Sequence, residues 1–97
     1  MNDVSARDAT RTLYAIEHVD EWPVWPILPM KQADPHQRHK SDGLGFMVAI
    51  ESRRYEVYIG FIWQLKPKVP IGEQLDTFDK RTYNCAEAIV SDGWIVD

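Results

Sequence analysis

The chain contains a single cysteine, Cys85, among its 97 residues. One cysteine excludes an internal disulfide and fits a reducing compartment. The longest apolar run is Tyr58–Trp63, which is far shorter than the ~20 residues that a membrane-spanning helix needs. The first twenty residues carry four acids and no continuous apolar block, so they predict no secretory signal. Together these absences predict a cytoplasmic protein with no membrane partner.

Glycine and histidine are also scarce. The five glycines are scattered, so there is no glycine-rich phosphate loop and no dinucleotide-binding fingerprint. His36 and His39 lie three residues apart beside Asp34 and Asp42, but without a nearby second ligand pair they do not match zinc spacing. We therefore expect no metal and no cofactor.

The lone cysteine is the only candidate nucleophile that the sequence singles out. Cys85 falls in the first turn of a predicted helix, where the helix dipole lowers a thiol pKa. A histidine base would have to come from elsewhere in the chain. Free cysteine is more often a small buried hydrophobe, and Ile89 lies on the same predicted helix face. The expectation is a packed thiol and no catalytic residue.

Composition is that of a globular domain, and charge is unevenly distributed. Apolar residues make up 44% of the chain, including four Trp, four Tyr and three Phe, which suffices for one domain over residues 1–97. Residues 1–30 carry a net −3, residues 31–68 a net +3 and residues 69–97 a net −4. The favoured explanation is internal pairing between the acidic ends and the basic middle. The alternative is a basic hairpin that contacts phosphate, against which the overall net charge of −4 argues.

The stretch Leu44–Leu65 predicts a β-hairpin, because its two halves are rich in β-branched and aromatic residues. A four-residue loop over residues 51–54 sets the predicted register, and burial of one face is expected to fix it. In that register one face carries only apolar pairs: Ile50 with Tyr55, Val48 with Val57, Phe46 with Ile59, and Leu44 with Phe61. Gly45 then lies opposite Gly60, which predicts a bulge there or a large side chain, Trp63 or Trp94, packed above.

The N-terminal third is harder to assign. Residues 1–9 read as a loose polar leader, although Ser5 and Asp8 have the spacing of a capping box that opens a helix. Arg11–Val19 has a strand-like composition and is predicted to be a third antiparallel strand. Helical spacing through Ala9, Leu13 and Ile16 is the alternative.

A proline-containing segment and then a polar segment follow in the chain. Pro23, Pro26 and Pro29 recur every three residues, and this pattern predicts an extended segment whose tryptophans fill the core. The alternative is a proline-rich ligand for an aromatic groove. Residues 31–43 are predicted to be a mobile polar loop.

The C-terminal part predicts one short helix. Leu75–Tyr83 is expected to be extended, and Asn84 is a suitable N-cap for a helix that ends at Gly93. A longer helix from Phe78 is the rival interpretation. The predicted fold is therefore α+β, with a three-stranded antiparallel sheet around the 44–65 hairpin and a short C-terminal helix packed on one face.

This fold leads to a functional hypothesis. One short helix covers only one face of a sheet, so the second hairpin face is expected to stay partly bare, and exposed apolar area with a polar rim marks interaction sites. The sequence thus predicts a small non-catalytic protein-binding module whose partner is another protein or a second copy of itself. The predicted partner-binding residues are Met47, Arg54, Glu56, Tyr58 and Ile62.

Nucleic-acid binding is the alternative hypothesis. Basic residues flank the hairpin and aromatic residues are interleaved with them, a combination that binds single strands by stacking and charge. The residues that would contact nucleic acid are Arg38, Lys40, Arg53, Arg54, Lys66 and Lys68.

Overall fold

A five-stranded antiparallel sheet forms the centre of the computed structural model, which describes residues 4–34, 36 and 43–97. The strand order is β4-β3-β2-β1-β5. The strands are β1 (Ile27–Gln32), β2 (Leu44–Val48), β3 (Glu56–Ile59), β4 (Asp79–Thr82) and β5 (Trp94–Val96). The α+β class is therefore confirmed, whereas the predicted three-stranded sheet is wrong. The hairpin partners β2 and β3 do pair. However, β1 comes from the proline-containing segment and the first two residues of the predicted polar loop, neither of which was predicted to be a strand of the sheet.

The register of the hairpin differs from the prediction by one residue. Phe46 pairs with Tyr58 and Gly45 with Ile59, so Val48 and Val57 belong to opposite faces of the sheet. The connection over residues 49–55 contains a 3-10 turn, Glu51–Arg53, and Tyr55 at a φ of 63°, and it shifts the pairing. Val57 and Tyr58 are both fully buried. Because both faces of β3 are buried, apolar alternation could not select the register.

One face of the sheet, the helical face, packs against α1 (Ala6–Glu17) and α3 (Ala86–Ser91). Burial of apolar area on this face contributes favourably to folding, as it does on the second face. The buried cluster here consists of Ile16, Trp22, Leu28, Met30, Met47, Val57, Ala86, Ile89 and Trp94.

The strand predicted over Arg11–Val19 is wrong, because this segment belongs mostly to α1. Ser5 caps the helix, since its Oγ accepts a hydrogen bond of 3.1 Å from the backbone N–H of Asp8. Thr12 and Ile16, one turn apart, are both buried and direct one side of the helix onto the sheet. The helix begins at Ala6, inside the segment predicted to be a loose leader.

The second face of the sheet is covered by residues 61–78. Its buried cluster is Ile27, Phe46, Val48, Tyr58 and Leu75, against which Ile50, Ile62, Leu65, Ile71 and Phe78 pack. The covering segment contains the short helix α2 (Ile71–Gln74) and two 3-10 turns. Gln74 holds it together, because its side-chain amide bonds both backbone groups of Lys66 and the carbonyl of Val69. The prediction that a short C-terminal helix covers one face and leaves the second face partly bare is therefore wrong about the second face.

The C-terminal helix starts one residue later than predicted, because its N-cap is Cys85 and not Asn84. Cys85 is the N-cap of α3 and makes no side-chain capping bond. β4 occupies residues 79–82, so the longer helix from Phe78 is wrong. Gly93, with a φ of 93°, ends the helix in the left-handed region as predicted. β5 follows at once and pairs with β1.

Two further predictions meet only part of the structure. The polar loop over residues 31–43 overlaps β1, which runs to Gln32, and residues 35 and 37–42 lie outside the described residues. No helix within the described ranges is long and apolar enough to cross a membrane.

Candidate binding surface

The five predicted partner-binding residues do not form one exposed surface. Met47 and Tyr58 are 2% and 0% exposed and lie on opposite faces of the sheet. Arg54 is exposed, while Glu56 and Ile62 are half-buried. A partner that approaches the folded domain therefore meets only part of this set.

Glu56 and Tyr58 instead form a closed polar cluster on the second face. The Tyr58 hydroxyl donates a 2.7 Å hydrogen bond to one carboxylate oxygen of Glu56, and Lys80 donates a 3.1 Å bond to the other. Arg53 donates to the Tyr58 hydroxyl at 3.3 Å. Since both carboxylate oxygens are occupied, the cluster ties β3 to β4 and offers no free group for chemistry.

Burial and these hydrogen bonds shift the pKa values of both Glu56 and Tyr58. Burial opposes ionisation of Glu56, but the hydrogen bonds from Tyr58 and Lys80 outweigh it and hold the Glu56 pKa below its ordinary value. Burial first, and then the bond to Glu56, raises the pKa of Tyr58 to about 12. At neutral pH the pair is therefore a carboxylate and a neutral phenol.

Arg53 and Arg54 of the predicted nucleic-acid surface form ion pairs with acids of the same chain. Arg53 lies 3.8 Å from both Glu56 and Asp76. Arg54 pairs with Glu17 at 2.8 Å. These contacts agree with internal charge pairing as the reason for the uneven charge distribution. Arg38 and Lys40 lie outside the described residues.

Lys66 and Lys68 differ from these arginines. Both are exposed, and neither forms an ion pair with any residue that the structure describes. Their positive charge is consequently available to a partner of the opposite sign.

An exposed aromatic pair precedes these lysines in the chain. Phe61 and Trp63 are 43% and 78% exposed. Their rings are stacked, with centroids 5.4 Å apart and planes at 7°. Gly60, at a φ of 145°, turns the chain away from β3, and the Gln64 side chain accepts a 2.8 Å bond from the Phe61 N–H. The stack is thus held by the backbone rather than by burial.

The aromatic pair borders a shallow groove of about 380 Å³. Pro29, Leu44 and Ile62 supply its apolar lining, and Asp97, which pairs with Lys31 at 3.5 Å, lies at its margin. We call Phe61, Trp63, Lys66 and Lys68 the Trp63 surface. Its two rings border the apolar groove, its two lysines follow them in the chain without an ion pair to a described residue, and Asp97, the charged residue that lines the groove, is already paired with Lys31.

A second exposed aromatic group lies before β1. Trp25 and Val24 are 61% and 51% exposed. The Trp25 N–H donates to the Trp22 carbonyl at 3.2 Å, so the segment forms a turn instead of the predicted extended chain. The prediction that both tryptophans fill the core is confirmed for Trp22, which is 5% exposed, and wrong for Trp25.

Two acidic residues precede this turn. Asp20 and Glu21 are exposed and lie in the 3-10 turn Val19–Glu21. Glu21 accepts hydrogen bonds from the Tyr14 hydroxyl. We call Asp20, Glu21, Val24 and Trp25 the Trp25 surface.

An apolar pocket of about 230 Å³ lies between the end of α1 and β2. Ile16, Trp22 and Met47 are among its lining residues, and Arg54 lies at its rim. Because Arg54 already pairs with Glu17, the pocket offers no unpaired arginine to anchor a charged ligand. We interpret it as a gap in the packing between the helix and the sheet.

The side chains weighed as catalytic or metal-binding candidates form no metal-holding group among the residues that the structure describes. Cys85 is half-buried, and the ring of His18 stacks on Tyr14 at 3.8 Å. His36 is exposed, and its backbone N–H donates to Asp34. His39 and Asp42 lie outside the described residues. Among the described residues, no three His, Cys, Asp or Glu side chains come together to hold a metal ion.

Sequence reasoning missed Phe61 as a surface residue, and it considered Trp63 as one only in the nucleic-acid alternative, among the aromatic residues interleaved with the basic ones. It placed Phe61 on the buried hairpin face and assigned Trp63 a packing role. The available signal was the sequence around them, because Gly60 ends β3 and Gln64, Lys66 and Lys68 interrupt the apolar run.

No protein-family model, no curated protein and no solved structure matches this chain.

Proposed function

We propose that the protein is a non-catalytic protein-binding module and that its docking site is the Trp63 surface. The observation that carries this proposal is the exposure of a stacked Phe61–Trp63 pair beside an apolar groove. A tryptophan that contributes nothing to the core and projects into water at 78% exposure is unusual. Tryptophan is also among the residues that most often dominate binding energy at protein interfaces.

Preorganisation supports the same proposal. Phe61 supports one side of the Trp63 ring, and Gln64 fixes the Phe61 backbone. An aromatic side chain whose position is already set loses little conformational entropy when a partner covers it. Docking on this surface therefore gains apolar burial at low entropic cost.

The charges beside the rings define the partner. Lys66 and Lys68 lie within five residues of Trp63 in the chain, with no ion pair to other described residues. A partner segment with an aromatic or apolar side chain next to Asp or Glu would match them. Complementary charge favours encounter and suppresses wrong partners.

The test is an NMR titration that follows the indole N–H signals. The probes are three synthetic ten-residue peptides: one with a Trp and two Glu, one with a Trp and two Lys, and one with two Glu and no aromatic residue. We expect the first peptide to shift the Trp63 indole signal and the other two to shift it far less. The buried indoles of Trp22 and Trp94, which donate to Ala15 and Tyr83, are internal controls.

Two results would contradict the proposal. One is a set of equal shifts at the exposed and buried indoles, which indicates general perturbation. The other is unchanged binding of the first peptide by Trp63→Ala, followed through the indole signal of the peptide's own Trp, which would place the docking site elsewhere.

Nucleic-acid binding remains a second candidate because the same surface favours it in one respect. Stacked exposed rings beside lysines suit the stacking of single-stranded bases. Only Lys66 and Lys68 of the predicted basic set are unpaired within the described part of the chain, so the footprint is small. Binding of a short oligonucleotide that weakens steeply with salt would support this candidate, and no binding at low salt would remove it.

A further inference from the structure

We infer that the partner of the Trp63 surface is the Trp25 surface of a second copy of this chain. This deepens the proposed function and rests on it. Both surfaces have a strongly exposed tryptophan at the centre, and both leave apolar area in water. Contact between the two surfaces therefore removes exposed apolar area of both from water.

The two surfaces lie at opposite ends of the sheet. At one end the Ala49 N–H donates to the Pro26 carbonyl, next to Trp25. At the other end the Gly60 N–H donates to the Leu44 carbonyl, next to Phe61. A strand of six residues such as β1 spans about 20 Å. Trp25 and Trp63 of one chain therefore cannot cover each other, whereas those of two chains can.

Charge favours pairing of unlike surfaces over like ones. Asp20 and Glu21 precede Trp25, and Lys66 and Lys68 follow Trp63. A Trp63 surface placed on another Trp63 surface would bring four ammonium groups together, and two Trp25 surfaces would bring four carboxylates together. The mixed arrangement matches acids with lysines, and charge complementarity of this kind suppresses the like-charge alternatives.

Both surfaces are also held in position before contact. The turn that carries Trp25 is anchored by Trp22, whose indole donates a 2.7 Å bond to the Ala15 carbonyl beneath it. Pro23 and Pro26 flank Val24 and Trp25 and restrict the backbone further. Neither surface has to order itself on binding, which lowers the cost of association.

Contact between two different surfaces is heterologous. Two copies in opposite orientations would make the contact twice and form a closed dimer, and other orientations would form closed rings or open chains of copies. Either arrangement depends on the same Trp25–Trp63 contact, so a single set of variants tests both.

The experiment combines sedimentation velocity with NMR at protein concentrations from about 10 µM to about 1 mM, the range in which a single small interface becomes visible. The samples are the wild type, Trp25→Ala, Trp63→Ala and an equimolar mixture of the two variants. Glu87→Ala, which truncates an exposed residue of α3 outside both surfaces, is the matched control.

We expect the wild type and Glu87→Ala to gain mass with concentration, and each tryptophan variant to weaken association at least about tenfold. The mixture should associate again, because one variant retains Trp63 and the other retains Trp25. In the wild type the Trp25 and Trp63 indole signals should shift together on concentration, while those of Trp22 and Trp94 stay fixed.

Other results overturn the inference in distinguishable ways. A wild type that stays monomeric at about 1 mM removes self-association, and variants that do not complement each other remove the Trp25–Trp63 contact. If the Trp63 indole then still shifts with the acidic tryptophan peptide, the proposed protein-binding function stands with a different partner. If the Trp63 indole signal shifts neither with the acidic tryptophan peptide nor with protein concentration, both proposals fail.

Discussion

The indole of Trp94 lies directly over Gly45, so that a Cβ built on Gly45 would be 3.3 Å from Trp94 Cη2 and 2.5 Å from the Tyr58 carbonyl oxygen. Of the two alternatives that the sequence left open for Gly45, a bulge or a large side chain packed above, the structure has the second, with Trp94 as that side chain, although Gly45 pairs with Ile59 and not with Gly60. A carbonyl oxygen belongs to the backbone of a paired strand and cannot move away cheaply. The glycine is consequently required by the close packing of β2, β3 and β5.

We predict that Gly45→Ala destabilises the domain by about 1–3 kcal/mol, the usual cost of overpacking a core. The measurement is the midpoint of urea unfolding followed by tryptophan fluorescence. Gly72→Ala is the control, because a Cβ there would meet only Ile50 Cδ1 at 4.0 Å. In a helix, alanine is more favourable than glycine by about 0.5–1 kcal/mol, so Gly72→Ala should be neutral or stabilising. Equal effects of the two substitutions would contradict the packing described here.

The Glu56 carboxylate should make stability depend on pH in the acidic range. Its pKa is lowered in the folded protein, so the unfolded state binds the proton more readily. The contribution of Glu56 to stability is therefore complete above the ordinary pKa of 4.5 and is lost as the pH falls through the lower folded value.

The variant that tests this contribution is Glu56→Gln. At pH 7 it should lower the free energy of unfolding by about 1–2 kcal/mol, because it weakens the charged bonds from Tyr58 and Lys80. At pH 3 its deficit should be much smaller. Glu51→Gln, at an exposed residue, should show no comparable dependence on pH. A deficit that stays constant between pH 7 and pH 3 would count against the cluster.

The buried Tyr58 and the half-buried Tyr83 should make the protein sensitive to alkali. Burial raises the pKa of both Tyr58 and Tyr83 to about 12, with Glu56 and Asp92 as the next contributions. The folded state keeps phenol protons that the unfolded chain releases near the ordinary value of 10.0. Stability is then complete below pH 10 and falls as the pH rises toward 12.

Urea unfolding at pH 7 and at pH 11 checks this prediction. The wild type should lose stability between the two, and Tyr83→Phe should lose less, because one of the two phenols is gone. At pH 7 Tyr83→Phe should cost about 1 kcal/mol, since Asp92 and the Trp94 indole lose a bonding partner. A loss at pH 11 as large in the variant as in the wild type would show that Tyr83 does not contribute.

The limits of prediction from this sequence have identifiable physical causes. The pairing of β2 with β3 was predictable, because both runs are long and rich in strand-forming residues. Their register was not, since Val57 and Tyr58 are both fully buried and either face looks like a core face. β1 was hidden by Pro29, which argues locally against a strand that pairs on both sides.

The sequence around Trp63 indicates the exposure of the candidate surface only weakly, for a related reason. Trp22, Trp25, Trp63 and Trp94 are equally apolar as residues, yet two of them are buried and two project into water. Which of them is covered depends on the turns at Trp22–Trp25 and Ile62–Gln64 and on the path of residues 65–78. Those are tertiary properties that no local pattern specifies.

That difference between tryptophans gives the last prediction. Trp63→Ala should change the free energy of unfolding by no more than about 0.5 kcal/mol, as is usual for exposed positions, because the side chain is 78% exposed. Trp22→Ala should cost about 3–5 kcal/mol, because it empties a buried site and removes the bond to Ala15. Urea unfolding of both variants at a concentration well below any self-association makes the measurement. A large cost for Trp63→Ala would mean that this ring packs in the core, and the docking site proposed for it would then be lost.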